Sequence, residues 1–212
     1  MIINEALRAT AATLNSLNWI DQYGGVAIPL RRDEGGTEVN GKHVPLYRTY
    51  PVSEDLTAEE CWGKQHYRRL IPNAQYRNLL YWEVTTPAKP IAHRQTPPKG
   101  YTVQGAARLV YWLNLPALGI GREEGYQLGS VGLALAHRLA APYLVRRGVK
   151  LVLEDPTFEQ TDAARIFPYD YDFNQALLLY PYGFGAVSFT CTVHVRPDCL
   201  PALNFGPPIS CP

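Results

Sequence analysis

The chain opens with apolar residues at helical spacing. Polar residues separate them, and the intervals of three, four and seven residues are typical of an amphipathic helix whose apolar side faces a core. The residues in this pattern are Ile3, Leu7, Leu14 and Leu17. The pattern predicts a helix from about Ile3 to Gln22, and we expect the following Gly24-Gly25 pair to end it.

The next segment alternates short apolar runs with charged, glycine-bearing sequence. Val26–Leu30 and Val44–Tyr50 have the apolar, β-branched and aromatic composition of strands. The stretch between them, Arg31–His43, is charged and predicted to form a hairpin-like loop. Within it, the Asn40-Gly41 pair favours a two-residue turn. Both central residues of such a turn must adopt a positive φ, which Asn and Gly do more readily than other residues.

Residues 53–100 are predicted to form a loop-rich insertion. Ser53 or Thr57 is suited to cap a helix over Ser53–Leu70. Leu79–Thr85 has a strand pattern, and it is followed by a proline-rich loop over residues 86–100 that cannot join a sheet ladder continuously. The alternating apolar residues of Tyr101–Leu115 then predict a long strand.

The second half of the chain continues this mixture of helix and strand. Gly125–Val145 is predicted to be an amphipathic helix whose apolar face is Leu128, Val131, Leu135 and Leu139. Val149–Leu153 is predicted to be a strand and Thr157–Arg165 a short helix.

An aromatic block closes the sequence before a proline-rich tail. Ile166–Arg196 holds eight of the chain's 24 Phe, Trp and Tyr residues and no Lys or Glu. Such composition suits a half-buried pleated surface, and the block is expected to supply strands at Leu177–Tyr180 and Ala186–Val195. The prolines of residues 197–212 predict an extended C-terminal arm.

The order of these elements predicts an α+β fold. We expect a mixed, mostly antiparallel sheet with two main helices packed on one face. The insertion at 53–100 and the arm at 197–212 are additions to a single domain spanning residues 1–212. At 212 residues the chain is long enough for a substantial core.

Composition narrows the classes of function. The formal net charge is +1, and basic residues cluster only in short pairs, so a sequence-specific nucleic-acid partner is not expected. No apolar run approaches the roughly 18–20 residues that cross a bilayer. The sequence therefore predicts neither a membrane span nor, from its N-terminal residues, a signal peptide.

No pattern of catalytic, metal-binding or cofactor-binding residues stands out. The four cysteines form no C-x-x-C pair, and Cys191 sits in a strand pattern as a small buried residue. Cys199 and Cys211 would pair only in an oxidising compartment, and reduced thiols are the expectation. His137 is interpreted as a core or interface residue, and His194 is expected to point away from the core. We predict no catalytic residues, no metal and no cofactor.

One glycine-rich segment resembles a dinucleotide fingerprint but departs from it. Gly119, Gly121 and Gly125 follow a strand and precede a helix, yet their spacing is one residue too long. Glu123 and Glu124 would also place negative charge at the helix N-terminus that should hold a pyrophosphate. These acids suit an ordinary helix start instead.

Tyrosine and arginine dominate the remaining candidate chemistry. The chain has 14 Tyr, and its arginines outnumber its lysines. Tyr, Trp and Arg anchor many subunit interfaces, because they bury a large area at low entropy cost. Two interpretations remain open: the aromatic side chains form the monomer core, or part of them forms an interface between subunits.

The pattern resembles the tail-terminator proteins that join tail to head in long-tailed phages and related contractile particles. The similarity lies in the order of helix, hairpin, strands, crossing helix and closing strand. It also lies in the opening NEALRATAATLNSLNWI and, through similar prophage tail-region proteins, in the closing YDYDFNQALLLYPYGFGAVSFTCTVHVRPDC. The 53–100 insertion departs from the compact family form.

The resemblance implies a structural protein without catalytic activity. Such a protein would form a homohexameric ring in the virion tail or neck, assembled in the host cytoplasm. The ring would contact itself, the tail tube protein and the neck or connector proteins. Another phage-like adaptor or baseplate module, and a small nucleotide-binding or hydrolytic enzyme, are the alternatives. The candidate interface residues are Arg31, Arg32, His43, Tyr169, Tyr171, Tyr182 and Phe184.

Overall fold

A computed structural model shows two β-sheets and a layer of helices. It describes residues 2–54, 60–62, 65–91, 101–120, 128–140, 143–145, 149–159, 162–167 and 174–195.

The larger sheet has six strands and is antiparallel except at one edge. Its first strand pairs in parallel with the second, and all other neighbours are antiparallel. In spatial order the strands are β1 (Gln22–Val26), β6 (Asn78–Pro90), β7 (Tyr101–Asn114), β10 (Tyr182–Val195), β9 (Val149–Glu159) and β8 (Tyr143–Val145).

The smaller sheet consists of four antiparallel strands. Two of its strands are long and form a hairpin, and the other two are short. In spatial order they are β2 (Ile28–Val39), β3 (Lys42–Glu54), β5 (Gln65–Arg69) and β4 (Glu60–Trp62).

Four α-helices complete the described structure. They are α1 (Ile2–Arg8), α2 (Ala11–Asn15), α3 (Leu128–Leu139) and α4 (Ala163–Ile166). Two 3-10 turns lie at Pro116–Leu118 and Gln175–Leu178. Asp162 caps α4 by accepting hydrogen bonds from the backbone N–H groups of Ala164 and Arg165.

The main core lies between the large sheet and helices α1, α2 and α3. Alternate residues of β7 and β10 point to the same side of the sheet, and this side meets the apolar faces of the three helices. The expected α+β architecture, with two helical units on one face of a mostly antiparallel sheet, is confirmed. The fully buried residues of the main core include Leu7, Leu14, Leu109, Tyr111 and Leu135.

A second apolar cluster covers part of the opposite side of the sheet. Tyr81, Val110 and Trp112 point there, and they are covered by Leu70, α4 and the 3-10 turn that contains Leu177. The Trp112 indole N–H donates to the Leu177 carbonyl at 2.6 Å. Both faces of the central strands are therefore buried at this end, which explains why the sequence there is almost continuously apolar.

The predicted N-terminal helix is wrong in its length. Helix α1 ends at Arg8, α2 ends at Asn15, and Gln22 already begins β1. The break falls at Thr10, whose buried hydroxyl donates to the Leu7 carbonyl at 2.7 Å and accepts from the Trp82 indole at 2.9 Å. A tertiary hydrogen bond to a buried indole thus favours a turn where the apolar spacing predicted continuous helix.

The helix predicted over Ser53–Leu70 is also wrong. The described residues of this segment lie in β3, β4 and β5, apart from Leu70 directly after β5, and Ser53 of β3 pairs with Arg68 of β5. The insertion also supplies β6, a central strand of the larger sheet, with Pro87 and Pro90 inside it. Strand β1 pairs only with Leu79–Trp82, so no strand in the described part of the chain pairs with that edge of β6 at Pro87 and Pro90, and proline is tolerated at such an edge.

Three further boundaries differ from the predictions. Helix α3 ends at Leu139, and Tyr143–Val145 is a strand rather than its last turn. Thr157 belongs to β9, so the predicted helix there is reduced to the single turn α4. Leu177 lies in a 3-10 turn rather than in a strand. The strands predicted at Tyr101–Leu115 and Ala186–Val195 are confirmed, while the arm at 197–212 lies outside the described residues.

Candidate subunit interface

The β2–β3 hairpin extends beyond the body of the protein. Its strands are paired from Ile28↔Val52 to Val39↔Lys42 with one irregularity between Asp33 and Gly36, and the turn between them is Asn40-Gly41, as predicted. Asn40 and Gly41 have φ values of 54° and 72°, as a two-residue hairpin turn of this type requires. The charged stretch predicted as a loop is therefore mostly strand. We call residues 31–49 the hairpin arm.

The arm exposes apolar side chains along one of its faces. Val44 and Leu46 are two residues apart in β3, and Val39 pairs with Lys42, so all three point to the same side. Their exposed fractions are 51% for Val39, 48% for Val44 and 42% for Leu46. We call these three residues the apolar stripe. Every residue from Glu38 to Tyr47 is exposed, so the stripe has no cover within the described part of the chain.

The other face of the arm is polar and aromatic. The Arg31 guanidinium lies over the Tyr47 ring, 4.3 Å from its centroid. His43, on the same face, sits beside the turn and is exposed. A cation–π contact at an exposed site contributes about 0.5–1 kcal/mol. It also holds two long side chains in place before any partner binds.

The base of the arm is fixed to the body. Tyr50 and Val52 are buried with Tyr67 and Ile71 in a small apolar cluster. The Arg68 side chain donates to the Gln22 side chain at 3.1 Å and to the Tyr23 carbonyl at 3.4 Å. These bonds join the smaller sheet to β1 of the larger one, so the arm projects from an anchored root.

An open groove lies on the helical side of the body. Its volume is about 520 Å³. Leu133 is 61% exposed on its wall, on the side of α3 that does not face the core. The residues that line it are Leu17, Trp19, Ser130, Leu133, Ala134, Leu135, His137 and Arg138.

The predicted interface residues fall in two separate places. Arg31 and His43 lie on the arm, and Arg32 lies in β2. Tyr182 and Phe184 lie in β10 on the side of the sheet away from the main core. There Tyr182 stacks on Trp112 at 5.1 Å, and Phe184 meets Phe167 edge-on at 5.7 Å.

Tyr182 and Phe184 are thus half-buried, and they make these ring contacts within a single chain. Their role in an interface stays a prediction. Tyr169 and Tyr171, the other members of the predicted set, lie outside the described residues.

Sequence reasoning missed the apolar stripe and the groove. Val44, Leu46 and Arg48 stand at alternate positions, as in any strand. This pattern predicted a strand, but it did not predict that the apolar side chains are exposed. Leu133 lies off the predicted apolar face of the helix, and an off-face leucine is the signal that would have identified a second surface on α3.

The titratable groups of the described residues do not form a reactive cluster. Within these ranges no three His, Cys, Asp or Glu side chains are placed to hold a metal ion. Cys191 is buried in β10, as its strand pattern predicted. Burial raises the pKa of its thiol to about 12, so at neutral pH the thiol is protonated and unreactive. His194 is exposed, as expected, and its Nδ1 lies 3.0 Å from the Thr102 hydroxyl.

Two other sequence features have structural roles. His137 is exposed on the groove wall, so the core is excluded as its place, and its position in an interface stays a prediction. Gly119, with a φ of 74°, ends the 3-10 turn at Pro116–Leu118. The rest of the glycine segment, residues 121–127, lies outside the described residues.

A buried ion pair crosses the middle of the sheet. The Arg108 Nε donates to the Glu83 carboxylate at 2.6 Å, and both side chains are nearly buried. The Arg108 guanidinium also donates to the Arg165 carbonyl at 2.6 Å and to the Ile166 carbonyl at 3.3 Å. Arg108 thereby links the end of α4 to β6 and β7, so the pair has a structural role.

Comparisons with known proteins returned no relatives. No protein-family model, curated protein or solved structure matched the chain. None of the helices in the described ranges is long and apolar enough to cross a membrane.

Proposed function

We propose that this chain is a structural protein of a phage-like tail that assembles into a ring of the tail-terminator type. The observation that carries the proposal is the hairpin arm, an anchored projection with apolar side chains on an exposed face. A two-stranded hairpin without a covered face is marginally stable in water. The arm is therefore suited to a state in which another surface covers the apolar stripe.

The partner proposed for the arm is a neighbouring copy of the chain. A contact between an arm and a different surface of the next copy is heterologous, and repeated head-to-tail contacts close into a ring when the rotation between copies permits. The resemblance of the sequence implies six copies, with the tail tube protein on one side of the ring and neck or connector proteins on the other. No part of this assembly requires a cofactor or a reaction.

An adaptor or baseplate protein is the second candidate, because a projecting arm would serve it equally well. The two differ in whether copies of the chain form a closed ring.

We expect light scattering over a wide range of concentrations to show growth from monomer to one fixed oligomer, and electron micrographs of that sample to show closed rings. A chain that remains monomeric at the highest concentration, or that forms open chains of varied length, would contradict the ring.

A further inference from the structure

Strand β9 contains a bulge that changes the side of the sheet to which its last residues point. Leu153 points to the helical side, and with strict alternation Phe158 would point to the other side. The register against β10 shifts between Glu154 and Thr157, however, so Phe158 also points to the helical side. Asp155 lies inside the shift with a φ of 51°, a left-handed conformation that is uncommon for residues other than glycine.

The bulge creates an exposed apolar patch beside helix α3. A Cβ atom at Gly132 of α3 would lie 3.1 Å from the Phe158 ring, so the ring packs against the helix at this glycine. Leu133 is the next residue of the helix. The exposed fractions are 42% for Phe158 and 61% for Leu133. We call these two residues the acceptor patch. A backbone held in an uncommon conformation that exposes an aromatic ring indicates a functional surface.

The strand that carries Phe158 is acidic. Residues 151–159 include three acidic residues and no basic one, and Glu154 and Asp155 are exposed. The basic side chains of α3, His137 and Arg138, lie in its last turn, beyond the acceptor patch. A partner with apolar and basic side chains is therefore complementary to this surface.

The hairpin arm has these properties on the side of its apolar stripe. Residues 42–49 of β3 include two basic residues, Lys and Arg, and no acidic one. Lys42 points to the same side as Val44 and Leu46, because the three residues alternate along the strand. Glu38 pairs across from the residue after Lys42 and points to the other side of the arm.

The arm and the acceptor patch lie at opposite edges of the larger sheet. The arm is anchored beside β1, the first strand in spatial order, and β9 is the fifth. Four steps of about 4.8 Å place β9 roughly 19 Å from β1. In the described part of the chain only the three-residue strand β8 lies beyond β9, and it pairs with Val149–Leu151. Because the apolar stripe and the acceptor patch are both exposed in one chain, a contact between them joins two copies.

We propose that the apolar stripe of one copy binds the acceptor patch of the next copy. Val44 and Leu46 cover the patch, and the basic strand β3 lies along the acidic strand β9. Complementary surfaces at opposite edges of one chain are what head-to-tail assembly requires. The inference rests on the proposed function, since it names the surface that receives the arm in the ring.

A mixture of two full-length variants tests this contact. Val44→Asp places a charge on the stripe and keeps the patch, whereas Leu133→Asp places a charge on the patch and keeps the stripe. Each variant alone should remain monomeric where the wild type assembles. Mixed in equal amounts, they should form a dimer of one copy of each that grows no further, because only one intact contact is possible. Light scattering measures the mass, and native mass spectrometry measures the composition.

The control is Leu179→Asp, which changes a leucine of similar exposure, 67%, outside the patch and should assemble as the wild type does. Closed rings formed by Leu133→Asp would overturn the acceptor patch and leave the ring in place. Open chains of the wild type that are lost in Leu133→Asp would support the contact and overturn the ring. A mixture that stays monomeric at every concentration would overturn the contact, and a monomeric wild type would overturn both proposals.

Reversal of one charge provides a second measurement. Lys42→Glu should raise the concentration required for half-assembly by about fivefold, because it places a negative charge against the acidic strand. Lys89→Glu makes the same change at an exposed residue of β6 and should leave this concentration unchanged. Added salt should reduce the difference between the two variants, since it screens exposed charges. Equal assembly of both variants at low salt would overturn the placement of β3 along β9.

Discussion

Single side chains decide where the helices and strands of this protein begin and end. Thr10 is the clearest example, because its hydroxyl connects the turn after α1 to the buried Trp82 indole. Nothing in the apolar spacing of residues 3–17 distinguishes Thr10 from a residue in the middle of a helix. The apolar face of this segment could therefore be predicted from the sequence. The break between α1 and α2 could not, because it depends on a hydrogen-bond partner 72 residues away.

Tyr23 is a second residue with a buried polar group. Its hydroxyl is buried near the polar atoms of Thr10 and Trp82, which are close enough to lower its pKa, but no described residue meets full hydrogen-bond geometry with it. Burial is the main cause that raises the pKa of Tyr23 from 10.0 to about 12, and the side chains of Thr10 and Trp82 moderate the rise. The folded state thus holds this proton more tightly than the unfolded state does.

This shift predicts a loss of stability at alkaline pH. The contribution of Tyr23 is fully present below pH 10 and is lost as the pH rises toward about 12. The free energy of unfolding of the wild type should fall by up to about 1.4 kcal/mol per pH unit more than that of Tyr23→Phe in this window. Urea unfolding of both proteins at several pH values measures the difference.

The raised pKa of the Cys191 thiol does not disturb that comparison. Its pKa is raised to about 12 by burial, but it is present in both proteins and its effect cancels. At neutral pH Tyr23→Phe should leave stability unchanged or raise it, because it removes a buried hydroxyl whose lost hydration no described hydrogen bond compensates. Parallel stability curves for the two proteins above pH 10 would show that the Tyr23 hydroxyl is not held in its protonated form.

Individual elements were predictable where local chemistry determines them. The Asn40-Gly41 turn, the strand of Tyr101–Leu115 and the strand of Ala186–Val195 follow from turn preference or from alternation, and they are present. The charged stretch before the turn was misjudged as a loop. Charged residues are compatible with strand beside the turn, because Glu38–Tyr47 are exposed on both faces of the arm.

The turn of the hairpin arm gives an element-scale prediction. Gly41 has a φ of 72°, and a side chain at this angle costs about 1–2 kcal/mol. Gly41→Ala should weaken pairing in the arm and speed amide exchange near the turn. The melting temperature should hardly change, because the tip of the arm packs on no described part of the body.

The control for this change is Lys42→Ala, which alters the neighbouring exposed residue without affecting a positive φ. Its amide exchange should match that of the wild type. A large drop in the melting temperature of Gly41→Ala would mean that the arm folds together with the body. The arm would then be a less independent element than its exposure indicates.

At the scale of the whole molecule, the two groups of predicted interface residues separate into different roles. The arm is exposed and contributes little to the core, whereas Tyr182 and Phe184 lie against Trp112 and Phe167. Sequence composition could not make this distinction, because an aromatic side chain suits a core and an interface equally. The distinction depends on which side of β10 is covered, and that is set by α4 and residues distant in sequence.

Comparing one substitution in each group tests the division. Val44→Asp places a charge on the apolar stripe and should prevent assembly while leaving the melting temperature nearly unchanged. Tyr182→Asp removes a ring stacked on Trp112 and should lower the free energy of unfolding of the monomer by about 1–3 kcal/mol. Light scattering reports the native mass, and thermal unfolding at low concentration reports the stability of the monomer. If Val44→Asp still assembles while Tyr182→Asp remains stable but monomeric, the interface belongs to the aromatic face of β10 and the arm has another partner.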